Sequence, residues 1–270
     1  MYFAVAASYF APVHLVAVVG EDFPGATRES LAARGIDLTG LEVRPGRTFR
    51  WHGRYHEDVN VRDTLRLELN VFADFSPRVA EATRRVPYVF LGNIDPRLQA
   101  GVLDQFSAPV LVACDTMNHW IEGARDAVEA LLPRVDLLVV NDDEARLLSG
   151  ERNVSRAARR ILERGPKSLL IKRGEYGAIL FSAGEVFAVP AYPLEQVFDP
   201  TGAGDTFAGG LIGHLAATGD VSHTNLRRAI VYGSVLASYI VEDFGGRRLR
   251  TLTRDDIERR YRQFVALTEF

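Results

Sequence analysis

The residues with the clearest chemical content lie in the string Asp199-Pro-Thr-Gly-Ala-Gly-Asp-Thr-Phe-Ala-Gly-Gly210, which runs into a stretch of helical periodicity. Gly202 and Gly204 permit a tight turn where a side chain would obstruct a ligand, and the N–H groups of Gly202, Ala203 and Gly204 can then point outward together. A helix starting there adds partial positive charge, so the spot suits an anion, above all one whose charge grows during phosphoryl transfer. Asp205 follows on the first turn, placed to accept a proton from a substrate hydroxyl beside the same N–H groups. The plainer account of Asp205 is a carboxylate that caps a helix after a glycine turn.

Three shorter signals accompany it. Asn141-Asp-Asp-Glu144 follows the apolar run Leu137-Leu-Val-Val140, just past the carboxyl end of a buried strand, where ligands of open α/β sheets bind; the same spacing is that of a capping box. Ile171-Lys-Arg-Gly-Glu-Tyr-Gly177 ends another run in a glycine turn, in which Gly174 and Gly177 allow close backbone approach. Lys172 and Arg173 could face phosphate there, although charges flanking a strand are more often solvated. Asn93, after Leu91-Gly, and Asp115, followed by Asn118 and Trp120, stand at strand ends that serve substrate clefts and ordinary turns alike.

The elements that must position these residues alternate. From Val86 onward, strand-length apolar runs Tyr88–Leu91, Val110–Ala113, Leu137–Val140 and Leu169–Ile171 are separated by helical periodicity at Pro96–Phe106, Trp120–Leu132 and Val154–Glu163. This predicts a parallel sheet covered by helices on both faces. Helices are also predicted at Asp205–Ala217, Leu226–Glu242 and Arg254–Leu267. Between Arg47 and Asn70 the period is two: Phe49, Trp51 and Tyr55 alternate with Arg50, His52, Arg54 and His56, and Leu65, Leu67 and Leu69 with Arg66, Glu68 and Asn70. Across the polar turn Asp58–Asn60, that predicts an antiparallel hairpin with one apolar and one polar face.

Together these strings resemble the signatures of the ribokinase-like, or PfkB, carbohydrate kinase family. Val19-Gly-Glu-Asp-Phe-Pro-Gly25 is similar to its early glycine–aspartate turn, Asn141–Glu144 to its Asn-x-x-Glu element, and Asp199–Gly210 to its second signature, in family order across nearly the whole chain. The resemblance implies a single doubly wound, mainly parallel α/β domain over 1–270, with a β lid or dimerisation hairpin inserted at 42–75. It implies an ATP-dependent kinase acting on a hydroxyl of a sugar or nucleoside, with Asp205 as general base and Gly202–Gly204 as anion hole. Asn141 and Glu144 would orient Mg²⁺ through water, a role suited to hard oxygen ligands. Gly174 and Gly177 approach the nucleotide, and Ala237-Ser238 and Val241–Gly246, Gly245 included, resemble the adenine-side wall and the loop beyond it; a core helix ended by a glycine cap explains those residues as well. Asp199 and Thr201, the latter also counted with the nucleotide site, sit where family members hold a monovalent cation such as K⁺. Asn93 and Asp115 are the acceptor-side candidates, and closure of the lid over the acceptor would exclude water.

Composition sets bounds. With 270 residues, 47% hydrophobic content and a net charge of −3, the chain can bury one substantial core and offers no broad basic field for nucleic acid or an acidic membrane. Tyr2–Gly20 lacks charge, but Pro12 divides it and no basic segment precedes it, so it reads as a short buried helix and a strand rather than a span or leader. The single cysteine, Cys114, ends an apolar run and reads as buried and inert, in keeping with a cytoplasmic setting. A dinucleotide-dependent oxidoreductase is disfavoured, because its glycine fingerprint belongs on the first strand-to-helix turn. The other rival is a kinase-like protein, shortened at its N-terminus, that binds nucleotide or sugar with little catalysis. The sequence starts inside the small-residue helix that follows the family's first strand, which leads to the expectation of an intact nucleotide half and a weakened acceptor half. A homodimer through the 47–70 hairpin is expected, because a two-stranded sheet with exposed aromatics is too small to stand alone.

Overall fold

The computed structural model describes residues 1–56 and 62–269. The chain divides into two compact units, one of residues 12–84 and the other of residues 1–11 together with 85–270. In chain order the elements are α1 (Tyr2–Ala7), β1 (Ala17–Gly20), α2 (Gly25–Ala33), β2 (Leu41–Arg44), β3 (Arg50–Tyr55), β4 (Arg62–Glu68), β5 (Tyr88–Leu91) and α3 (Pro96–Leu103). There follow β6 (Leu111–Asp115), α4 (Asn118–Gly123), α5 (Arg125–Leu131), β7 (Leu137–Asn141), α6 (Asp142–Ser149), α7 (Val154–Leu162), β8 (Ser168–Lys172), β9 (Ala178–Ser182) and β10 (Glu185–Val189). The last part is helical, α8 (Ala203–Thr218), α9 (His223–Ile240), α10 (Arg247–Thr251) and α11 (Arg254–Thr268).

The larger unit is built on a six-stranded sheet in the order β10-β9-β8-β7-β6-β5. β5 to β8 run parallel, and β9 and β10 add an antiparallel hairpin beyond β8. The predicted parallel runs are therefore present, with the hairpin as an addition. Val89, Val112, Leu138, Val140, Leu169 and Ile171 pack on one side against Ile121, Val128, Leu131, Leu148 and Ile161 from α4 to α7. Helices cover the other side too, where Phe3 of α1 stacks on Phe90 of β5 at 4.2 Å between ring centroids. α1 lies close on α8 because glycine leaves room: a Cβ on Gly209 would stand 2.4 Å from the Phe3 carbonyl oxygen. The uncharged opening segment thus forms the buried helix and strand expected of it. Among the described residues no helix is long and apolar enough to cross a membrane. Cys114 is buried, and burial, reinforced by the charge of Asp115, pushes its thiol far above its ordinary value, which keeps it an unreactive thiol.

The smaller unit holds the parallel pair β1–β2 and the antiparallel pair β3–β4. Asp22, in the early glycine–aspartate turn, accepts the backbone N–H and the hydroxyl of Thr48, both at 2.7 Å, and pairs with Arg50 at 2.9 Å. In the hairpin, Trp51, Gly53 and Tyr55 share one face with Leu67 and Thr64, while Arg50, His52 and Arg54 face Glu68, Arg66 and Asp63. The indole of Trp51 lies over Gly53 and donates to the Thr64 hydroxyl at 3.1 Å. The register shifts between His52 and Gly53, which makes Leu65 the extra residue of a bulge and breaks the expected strict alternation of Leu65, Leu67 and Leu69. The polar turn expected at 58–60 lies outside the described residues.

Candidate active site

The parallel strands end side by side, and their ends carry polar residues. In the register, Asn141 at the end of β7 is opposite Lys172 at the end of β8, and Asp115 closes β6 opposite Val139. Each follows a run of buried residues that fixes where the strand stops, the arrangement that opens a crevice beyond a parallel sheet.

α8 starts at the same end. Its N-cap, Gly202, has φ +82, a left-handed conformation that only glycine adopts without cost, and a Cβ there would stand 2.4 Å from the ring of Tyr2. Gly204 is different: it carries no positive φ, and the nearest atom to a Cβ would be Lys172 Nζ at 3.1 Å. The tight turn therefore needs glycine at 202, and Gly204 leaves space in front of a lysine. The Ala203 N–H departs from expectation, because it donates to the Pro200 carbonyl at 3.1 Å and closes the turn instead of pointing outward. Among the described residues the N–H groups of Gly202 and Gly204 donate to no turn or loop carbonyl. Asp205 stands half-buried on the first turn of α8.

Asp115, Lys172, Gly204 and Asp205 come together here. Lys172 Nζ is 3.7 Å from Asp115 Oδ1, with side-chain exposures of 18% and 9%. Burial raises the Asp115 carboxyl above the usual carboxylate range, the Lys172 charge opposes that rise, and the nearby Asp205 carboxylate adds to it. Gln99 holds the strand ends in place: its buried amide donates to the carbonyls of Gly92 at 2.7 Å and Asp115 at 2.9 Å. In the sequence Lys172 reads as a solvated charge more readily than as a phosphate contact, and Gln99 does not stand out at all. The available signals are a lysine directly ending an apolar run and an amide within an apolar helical face.

Asn141 and Glu144 form a complete capping box at the start of α6. Asn141 Oδ1 accepts the Glu144 N–H at 2.8 Å and Glu144 Oε2 accepts the Asn141 N–H at 2.7 Å. Between them in sequence, Asp142 pairs with Arg146 and Arg173 through Oδ2, while its buried Oδ1 has no partner among the described residues. Asn141 Oδ1 and Glu144 Oε2 are hard oxygen donors of the kind Mg²⁺ takes through water, but both serve the capping box here, and among the described residues no group of three or more His, Cys, Asp or Glu side chains is placed to hold a metal ion directly.

The other predicted residues are more dispersed. Gly174 and Gly177 form the β8–β9 turn, with φ of +55 and +85; a Cβ on Gly177 would meet the Val189 carbonyl oxygen at 2.0 Å, so the chain's own backbone requires that glycine. Asp199 is buried and accepts the N–H of Thr201 at 2.9 Å and of Gly245 at 3.1 Å, tying the glycine turn to the loop after α9. Ser238 is buried on α9, where its hydroxyl donates to the Val235 carbonyl and receives Arg260 at 3.1 Å. Arg260 also pairs with Glu242 and lies over the Tyr239 ring, so this serine serves the packing of α11 on α9. Exposed Asn93 accepts from the Trp120 indole at 3.1 Å.

Residues 100–252 match the family model described as "pfkB family carbohydrate kinase". The chain is 29% identical over 206 residues to a cytidine kinase of Thermococcus kodakarensis, covering 75% of this chain and 73% of that protein. It is 33% identical over 120 residues to a ribokinase of Staphylococcus aureus, covering 43% of this chain and only 38% of that protein. Among solved structures, an E. coli protein described as a ribokinase II, in complex with ATP and Mg²⁺, superposes with a TM-score of 0.78 at 23% identity, over 98% of this chain and 87% of that one.

Proposed function

Because the chain belongs to the pfkB family of carbohydrate kinases, we propose that it transfers the γ-phosphoryl group of ATP to a hydroxyl of a ribose-containing acceptor, a nucleoside or ribose itself. The observation that carries this reading is a carboxylate, Asp205, on the first turn of a helix whose glycine N-terminus presents N–H groups to an anion. Asp205 takes the proton of the acceptor hydroxyl as that oxygen attacks. The N–H groups of Gly202 and Gly204, with the dipole of α8, hold the phosphoryl oxygens. Ala203 contributes by closing the turn.

Mg²⁺ would be held through water by Asn141 and Glu144, with Asp142 adjacent, and would neutralise phosphate charge. The capping box fixes both side chains toward the strand end, which supports a positioned rather than a mobile donor set. Asp199 keeps the glycine turn in place from behind; K⁺ beside Asp199 and Thr201 would add to the same support. Gly174 at the β8–β9 turn borders the nucleotide side. Asn93 and Asp115 at the ends of β5 and β6 lie toward the acceptor.

The test is ADP release over a panel of nucleosides and pentoses, with Asp205→Asn as the control. The variant is expected to lose about 10²- to 10⁴-fold in kcat with the affinity for ATP nearly unchanged. Near-normal turnover would remove Asp205 as the base, and acceptor binding without any ADP release would favour a binding protein. The hairpin face bearing Trp51, Tyr55 and Leu67 supports a homodimer, which light scattering at micromolar concentration tests; a monomer mass would exclude it.

A further inference from the structure

We propose that Lys172 is a catalytic residue that touches the γ-phosphoryl group of bound ATP, and that Asp115 is the positioning residue that aims its ammonium. The inference rests on the kinase reading above and assigns a role to two residues that the glycine turn alone does not explain.

The geometry is specific. Lys172 ends β8, its side chain is largely buried, and its Nζ lies 3.1 Å from the point where a Cβ of residue 204 would stand. The ammonium thus borders the space that the missing side chain of Gly204 leaves at the N-terminus of α8. Lysine is seldom buried without a counter-charge, and here the carboxylate of Asp115 supplies one at 3.7 Å. That separation is wider than the roughly 2.7–2.9 Å of a direct charge-assisted hydrogen bond, and the lysine stem is flexible enough to turn its ammonium toward an anion at the N-terminus of α8.

Charge points the same way. The charge of Asp205 reaches Asp115 and adds to the rise of its carboxyl, and two carboxylates at a phosphoryl-transfer centre repel the substrate. Lys172 is the cation that meets Asp115 and stands beside Gly204, so it offsets that repulsion and adds a point charge where the helix N-terminus supplies only partial charge. Gln99 fixes the Asp115 backbone and hence the pair.

The experiment is calorimetric titration of the full chain with ATP and with ADP, both in the presence of Mg²⁺, for the wild type, Lys172→Met, Lys172→Gln and Asp115→Asn. A lysine on the γ-phosphoryl group predicts that Lys172→Met weakens ATP by about tenfold or more and leaves ADP unchanged, because only ATP carries that group. Lys172→Gln, closer in polarity, keeps the test available if the methionine variant does not fold. Asp115→Asn is expected to weaken ATP by a smaller factor, again sparing ADP. A purely structural lysine would lower the melting temperature and weaken both nucleotides equally; that result, or no change for either, overturns the proposal. If the wild type binds neither nucleotide, the kinase reading fails and this inference with it. If Asp205→Asn abolishes turnover while Lys172→Met keeps the ATP-to-ADP preference, this inference alone fails.

Discussion

Two glycines two residues apart should fail in opposite ways when given a methyl group. At Gly204 a Cβ would meet Lys172 Nζ at 3.1 Å, Cε at 3.9 Å and Cδ at 4.0 Å, all at the far end of a flexible side chain. An ordinary contact is about 3.5–4.0 Å, so the amine must yield by roughly half an ångström. Alanine is also the better helix former, by up to about 1 kcal/mol in a helix interior and less on the first turn. Gly204→Ala should therefore leave the melting temperature within about 2–4 °C of the wild type. Its turnover should suffer nonetheless, since a misplacement of about 1 Å can cost on the order of 10²-fold and half that distance about tenfold. Gly202→Ala reverses the pattern. Its φ of +82 costs an alanine roughly 1–2 kcal/mol. The methyl would also be driven to 2.4 Å from the Tyr2 ring, an overpacking typically worth about 1–3 kcal/mol. Thermal melts beside ADP-release kinetics separate the two. Unchanged kcat in Gly204→Ala would refute the placing of the phosphoryl group at Gly204, and equal melting losses in both variants would refute the assignment of the turn's strain to Gly202.

Gln99→Leu keeps much of the side chain's bulk but removes the amide donor from the carbonyls of Gly92 and Asp115, leaving the latter only the weak Cys114 thiol at 3.4 Å, which should cost about 1–3 kcal/mol and lower kcat with it; an unchanged melt would show that water takes the amide's place. Asp256, the capping-box partner of α11, is held below the usual carboxylate range by the Thr253 N–H first, then the Thr253 hydroxyl and Arg259. A depressed folded value means that its contribution is present above the unfolded value near 4 and is lost as the pH falls through the folded one. Asp256→Ala should thus lower the melting temperature at neutral pH by an amount that shrinks below about pH 4; a pH-independent gap would contradict the capping account.

What could be read from the sequence follows from how strongly the physics constrains each element. Strands β6 to β8 are buried on both faces, so they appear as continuous apolar runs, the half-buried edge strand β5 is apolar throughout as well, and the bounds of all four differ from the predicted ones by two residues at most. The β9–β10 hairpin gave no comparable sign. Its turn is Ala183-Gly184, with φ of +50 and +80, and the first position lacks the asparagine or aspartate that usually announces such a turn. The predicted helix at Trp120–Leu132 is two helices, because the chain leaves helical geometry at Ala124, with φ −138 directly after Gly123. The site divides the same way. Gly202 and Asp205 are legible because a left-handed turn and a helix start demand particular residues at fixed spacing. Lys172 is not, because its position depends on a meeting in space between the end of β8 and the start of α8, some thirty residues later in the chain. Local sequence shows a charge flanking a strand, which is usually solvated. Only the packed sheet reveals that this strand end faces a helix N-terminus and a second carboxylate. The same limit explains Ala203: a glycine-bounded tripeptide suggests three outward N–H groups, and the turn that closes on Pro200 consumes the middle one. A motif therefore identifies which backbone can bind an anion, while the fold decides how many donors remain and which side chain completes the charge.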